Sequence, residues 1–190
     1  MSTALVLLAA GLSRRMGQDK LLMKRHGKPL YRFSLELMGS FPDTSRLVVS
    51  NIGEIIDAAQ ALGFHTIGNP LAAQGMGTSV AAATACLRVV RAVFLNADQP
   101  YFTAGCLALL LACAQETDAI VVPRVQGLPK SPCVFPRRFY PDLMMLEGDQ
   151  GGRAVYQLYP EEVHYLDFPD PRPFQDFDTP EDWARDGWDT

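Results

Sequence analysis

The sequence predicts an α/β protein: a single-domain, three-layer α/β/α fold on a mostly parallel sheet. Three observations carry this. Strand-length apolar stretches alternate with segments of helical pattern along the whole chain; no internal repeat, low-complexity tract or Gly/Ser/Pro-rich linker divides it; and 190 residues at 48% hydrophobic content suffice for one substantial core. The strands are expected at residues 4–8, 46–50, 64–67, 92–96, 119–122 and 163–168. Between them, helices are expected at 30–40, 52–62, 78–90, 103–115, 136–146 and 151–158.

Each element has its own signal. The run Ala4-Leu5-Val6-Leu7-Leu8 is apolar without alternation, as a strand covered on both faces requires. The helix expected from 103 has Thr103 as its cap, and its stripe Leu107-Leu110-Leu111 belongs to the core. Repeated βαβ units place ligands at the carboxyl ends of the strands, which selects the loops after Leu8, Ile67, Asn96 and Phe168.

Seventeen basic against twenty-one acidic side chains give a net charge of −4. That balance leaves no footprint for general nucleic-acid or anionic-membrane binding. The longest apolar runs, 4–10 and 106–114, are far shorter than the roughly 20 residues of a bilayer crossing, and the N-terminus has no basic leader region, so a cytoplasmic protein is expected. Cys86, Cys106, Cys113 and Cys133 form no C-x-x-C pair and read as buried, reduced thiols. His26, His65 and His164 fit no metal or triad spacing and read as structural or surface residues. Charge is uneven: residues 1–32 hold seven Lys or Arg against one acid, and residues 160–190 hold two against ten. The front end suits anions; the acidic tail is either solvated surface or a source of a cation ligand.

The loop after the first strand reads Leu8-Ala9-Ala10-Gly11-Leu12-Ser13-Arg14-Arg15-Met16-Gly17-Gln18-Asp19-Lys20. Small residues at Ala9, Ala10 and Gly11 let backbone amides approach a phosphate, while Arg15 and Lys20 offer a bidentate donor and a compact charge. Neither G-x-x-x-x-G-K-[ST] nor a complete G-x-G-x-x-G is present, which disfavours P-loop NTPases and nicotinamide dehydrogenases. After the fourth strand comes Asn96-Ala97-Asp98-Gln99-Pro100, an acid at the end of an apolar run, suited to a hard cation such as Mg²⁺.

Residues 8–20 resemble the signature loop of the MobA-like nucleotidyltransferases, and Ala9-Ala10-Gly11-Leu12-Ser13 is most similar to the molybdenum cofactor cytidylyltransferase branch. Gly27-Lys28-Pro29-Leu30, Gln74-Gly75-Met76-Gly77-Thr78-Ser79 and Asp98-Gln99-Pro100 resemble further family segments in family order. Gly148-Asp149-Gln150-Gly151-Gly152-Arg153 resembles a late motif of that branch, and Asp176-Phe177-Asp178-Thr179-Pro180-Glu181-Asp182 the closing motif.

The resemblance implies a Rossmann-like fold of the nucleotide-diphospho-sugar transferase type and Mg²⁺-dependent transfer of CMP from CTP to the molybdopterin-bound molybdenum cofactor. The products would be molybdopterin cytosine dinucleotide, for xanthine dehydrogenase-type enzymes, and pyrophosphate. It assigns Arg15, Lys20 and Asp98 to catalysis, Ala9, Ala10, Gly11, Gly75 and Ser79 to the nucleotide alongside Arg15 and Lys20, Asp98 and Asp178 to the metal, and Asp149 and Arg153 to the acceptor. Gly75 and Gly77 would admit a flat base, with Thr78 or Ser79 reading it or capping a helix. Asp178 also fits a plain helix start, because Pro180 follows. Asp149 and Arg153, four apart, also fit a surface ion pair. One departure stands out: Lys130-Ser131-Pro132 replaces the branch's usual Gly-His-Pro. A transferase using GTP or another phosphorylated acceptor, and a noncatalytic cofactor carrier serving an acceptor molybdoenzyme, are the alternatives.

Overall fold

A computed structural model describes residues 2–11, 19–177 and 182. Ten strands and six α-helices follow in chain order: β1 (Thr3–Ala9), β2 (Lys24–Arg25), β3 (Lys28–Pro29), α1 (Leu30–Gly39), β4 (Ser45–Ser50), α2 (Gly53–Ala61), β5 (His65–Ile67), α3 (Met76–Cys86) and β6 (Arg91–Asn96). The second half supplies α4 (Ala104–Thr117), β7 (Ile120–Val125), β8 (Leu128–Pro129), β9 (Cys133–Pro136), α5 (Tyr140–Met144), α6 (Gly152–Leu158) and β10 (Val163–Phe168).

The main sheet runs β10-β7-β9-β6-β1-β4-β5, with β8 paired to β7, while β2 and β3 form a separate ribbon. All main-path neighbours are parallel except at β9, which is antiparallel to both β6 and β7. Every strand expected from the sequence is present within a few residues. Three features differ. The sequence pattern marks no element at 24–29 or at 128–135, where the β2–β3 ribbon, β8 and most of β9 form. The helix expected at 136–146 is cut to a 3-10 turn, Arg137–Phe139, and the five residues of α5, because Pro136 is the last residue of β9, paired with Arg91.

The sheet is covered on both faces, and β1 shows how. Leu5, Leu7 and Ala9 join a core under α1, α2 and α4; Ala4, Val6 and Ala10 join a second core under α3, α5 and α6. Leu107 and Leu110 are fully buried in the first core, with Leu111 packed against it. Thr103 caps α4, accepting from the Cys106 amide at 3.2 Å. Of the four cysteines only Cys133 is buried; Cys106 and Cys113 on α4 pack partly against the first core and are half-buried, and Cys86, the last residue of α3, is exposed, so burial holds for one thiol alone. His65 and His164 are exposed strand residues, as expected of surface histidines. No helix among the described residues is long and apolar enough to cross a membrane.

From β1 the chain runs outward to β4 and β5 on one side, then returns through α3 to β6 on the other. The β1/β6 boundary is therefore the point where strand order reverses, and open α/β sheets bind ligands there.

Candidate active site

At that boundary the end of β1 lies against the end of β6: Leu8 pairs with Asn96, and the Ala97 amide donates to the Leu8 carbonyl at 3.3 Å. Ala9 and Ala10 are buried, and an added Cβ at Gly11 would meet nothing within 4 Å among the described residues. Asp19 then turns the chain: its carboxylate accepts from the Leu21 amide at 3.3 Å and caps a short 3-10 turn, Lys20–Leu22. That turn brings Lys20 to Asp98, and the ammonium donates to Asp98 Oδ2 at 2.7 Å. The residues are 78 apart in sequence and meet only because β1 and β6 are neighbours.

The other oxygen of the same carboxylate, Asp98 Oδ1, is buried and has no hydrogen-bond partner among the described residues. A buried unsatisfied carboxylate oxygen costs free energy on the order of 1–3 kcal/mol or more. It is a donor atom fit for a hard divalent cation, which a chain of this kind holds through one or two carboxylates together with substrate phosphates. No cluster of three or more His, Cys, Asp or Glu suited to a metal occurs among the described residues, so the cation would depend on those phosphates. Arg15 and Asp178, expected at the phosphates and the metal, lie outside the described residues. Asp178's neighbour Phe177 is described: its amide donates to the Asp98 carbonyl at 3.1 Å and its ring packs edge-on against Tyr101 at 5.6 Å.

Lys20 and Asp98 border a cleft of about 460 Å³, whose walls include Ala10, Gly11, Gly75, Ser79 and Asp149. A second cavity, of about 540 Å³, adjoins it, lined by Lys130, Ser131, Arg153 and Tyr156 among others. Leu8, Met76, Asn96 and Asp149 line both, and form the partition between them. Burial pushes the Tyr156 phenol and the Cys133 thiol, both in the second cavity's wall, up to about 12, so both stay neutral near pH 7.

The glycines near the cleft act differently from the expectation. Gly75 has φ +122°, and a Cβ there would stand 2.2 Å from the Gly148 carbonyl carbon; one at Gly77 would stand 2.8 Å from the Glu147 carbonyl oxygen. Gly77's amide also donates to Gly148's carbonyl at 2.8 Å. The space beyond these glycines is filled by the 147–150 backbone rather than left for a base. They lock the start of α3 to the segment carrying Asp149. The residue that sequence reasoning missed here is Asn69, buried, whose amide donates to Thr78 Oγ1 at 2.8 Å and Ser79 Oγ at 2.9 Å. Thr78 in turn donates to backbone carbonyls, so neither hydroxyl caps α3, whose cap position is Gly75. Asp149 and Arg153 form no ion pair with each other; Asp149 stands at the partition and Arg153 in the second cavity.

The arrangement can hold a polyanion in the first cleft against a cation and a lysine, with a second molecule alongside. The description "MobA-like NTP transferase domain" matches residues 5–164. The purine catabolism protein PucB of Bacillus subtilis (strain 168) is 30% identical over 200 residues, which cover 94% of this chain and 92% of that protein. Among solved structures, Rv0371c of Mycobacterium tuberculosis H37Rv superimposes with a TM-score of 0.81 at 23% identity, covering 97% of each chain. A manganese complex of Rv0371c gives 0.80 at the same identity and coverage. These likenesses extend over the whole sheet and both helical layers.

Proposed function

The chain belongs to the MobA-like NTP transferase family, and we propose that it transfers CMP from CTP to the phosphate of the molybdopterin-bound molybdenum cofactor, giving molybdopterin cytosine dinucleotide and releasing pyrophosphate. The observation that carries the reading is the Lys20 to Asp98 corner, which lines a cleft that shares a wall with a second cavity and in which Asp98 Oδ1 has no partner among the described residues. Nucleotidyl transfer needs two such adjoining compartments. Xanthine dehydrogenase-type hydroxylases would receive the product, and the purine-catabolism relative supports that destination.

The chemistry asks little of covalent catalysis. The acceptor's phosphate oxygen is already anionic; it attacks the α-phosphorus in line with the departing pyrophosphate, and the P–O bond to the β-phosphate breaks as the new one forms. Lys20 neutralises charge on the phosphates, joined by Arg15. Ala9, Ala10 and Gly11 present backbone to the triphosphate, and Gly75 and Ser79 border the nucleoside side of the cleft. Asp98, with Asp178 from the closing motif, would hold a Mg²⁺ ion that offsets phosphate charge; the crystal structure of a mycobacterial neighbour of the same fold in complex with manganese is consistent with use of a divalent cation. Asp149 and Arg153 border the acceptor side.

Pyrophosphate release by the purified protein, with Mg²⁺ and molybdopterin cofactor, tests the reading across CTP, GTP, ATP and UTP. A CTP preference of at least tenfold is expected. Preference for GTP would keep the reaction and replace the base, and release with none of the four would reject the transferase reading.

A further inference from the structure

The partition between the two cavities is where the new bond must form, because only there do both ligands meet. Asn96 is one of its four residues and lies two residues before Asp98. Its side-chain amide donates to Ser131 Oγ at 3.1 Å, and the amide of Gln99, itself 4% exposed, donates to Ser131 Oγ at 3.4 Å and to the Ser131 carbonyl at 3.3 Å. Two amide donors converge on one hydroxyl oxygen. A serine hydroxyl has two lone pairs and one proton, so with both lone pairs directed at amides its proton has to leave in another direction. Among the described residues nothing accepts it, and Ser131 lines the second cavity.

Lys130 lines the same cavity beside it, held by a backbone bond from its amide to the Pro123 carbonyl at 2.8 Å. No carboxylate pairs with its ammonium among the described residues. A donor proton and a positive charge on consecutive residues, bonded through Asn96 to the partition, form a site for an oxyanion.

We propose that Ser131 and Lys130 clamp the acceptor's attacking phosphate at the partition, with Asn96 and Gln99 as positioning residues that aim the Ser131 proton. This rests on the nucleotidyl-transfer reading above, and narrows the acceptor to a phosphate monoester. Gln99 thereby links the metal turn to the acceptor: the loop that carries Asp98 also orients the group that holds the nucleophile. The attacking oxygen keeps its charge; the clamp binds the other phosphate oxygens and moves no proton.

The test is a kinetic split supported by a binding measurement. Lys130→Met, whose native ammonium has no carboxylate partner among the described residues, is expected to raise the KM for molybdopterin cofactor about tenfold with the KM for CTP within twofold of wild type. Ser131→Ala is expected to do the same and to lower kcat, and Ser131→Thr, which keeps the hydroxyl, to restore most of the loss. Independently of turnover, inorganic phosphate titrated at millimolar concentration is expected to give saturable amide NMR shifts at Lys130 and Ser131 that Lys130→Met abolishes. Unchanged acceptor KM in both variants, or no phosphate-dependent shift at these amides in the wild type, would overturn the clamp. Loss of CTP turnover in the wild type would instead strike the functional reading, and the phosphate titration would still decide the clamp.

Discussion

At the scale of single residues, the proposed chemistry rests on the Lys20 to Asp98 pair. It was legible in part: an acid directly after an apolar strand and a lysine closing a small-residue loop are each visible in the sequence, and the topology alone brings them to 2.7 Å. The Asn96, Gln99 and Ser131 contacts were not legible. Their partners lie 35 and 32 residues apart, and no local pattern marks an amide that bonds a hydroxyl across a sheet. Asn69 escaped notice for the same reason. The pair makes a firm prediction. Asp98→Asn is expected to lower kcat about 10² to 10³-fold and to weaken dependence on Mg²⁺, because it removes the anionic oxygen suited to the cation; Lys20→Ala is expected to lower kcat/KM for the nucleotide by a similar factor. Steady-state kinetics over a Mg²⁺ series check both. Normal turnover with either variant would remove that residue from the site.

Elements show where propensity was overridden. The parallel core strands β1, β4, β6 and β7 announce themselves as apolar runs, whereas β9 is four residues that follow Pro132 and end in Pro136, too short and proline-bounded to stand out as a strand. It forms because the gap between β6 and β7 has free ladder groups on both sides, and an antiparallel strand satisfies them. The same insertion brings Ser131 and Lys130 beside the partition. The start of α3 is fixed just as non-locally, by glycines packed on the backbone at 147–150. Gly75→Ala is therefore expected to destabilise the fold by on the order of 3 kcal/mol, from a left-handed φ and a Cβ 2.2 Å from protein backbone. A lowered urea midpoint with unchanged slope would register it. A midpoint equal to wild type would mean that the 147–150 segment yields freely.

For the molecule as a whole, the three-layer architecture followed from composition and alternation, because helices on both faces of a parallel sheet are the packing that such a pattern permits. What the pattern did not reveal is the coupling between layers at alkaline pH. Cys133 on β9 and Tyr156 on α6 belong to the core under α3, α5 and α6, and burial raises both to about 12, from ordinary values near 9 and 10. A raised folded-state value means that the folded protein holds the proton longer than the unfolded chain. Stability is thus complete below about pH 9, and falls as pH rises from there toward 12. Thermal or urea unfolding from pH 8 to 11 is expected to show that decline, and Cys133→Ala to flatten its first part; a constant midpoint over that range would contradict the burial of these groups in one packed core.

The Lys20 and Asp98 corner is proposed to move a nucleotidyl group between the two cavities. The most direct measurement follows the label from CTP carrying ³²P at the α-phosphate, incubated with Mg²⁺ and molybdopterin cofactor. The account expects the label in a cytidine-containing dinucleotide, one unlabelled pyrophosphate released for each product molecule, and neither formed by the Asp98→Asn variant. Label recovered only as CMP or CDP, or transfer unchanged in that variant, would contradict it.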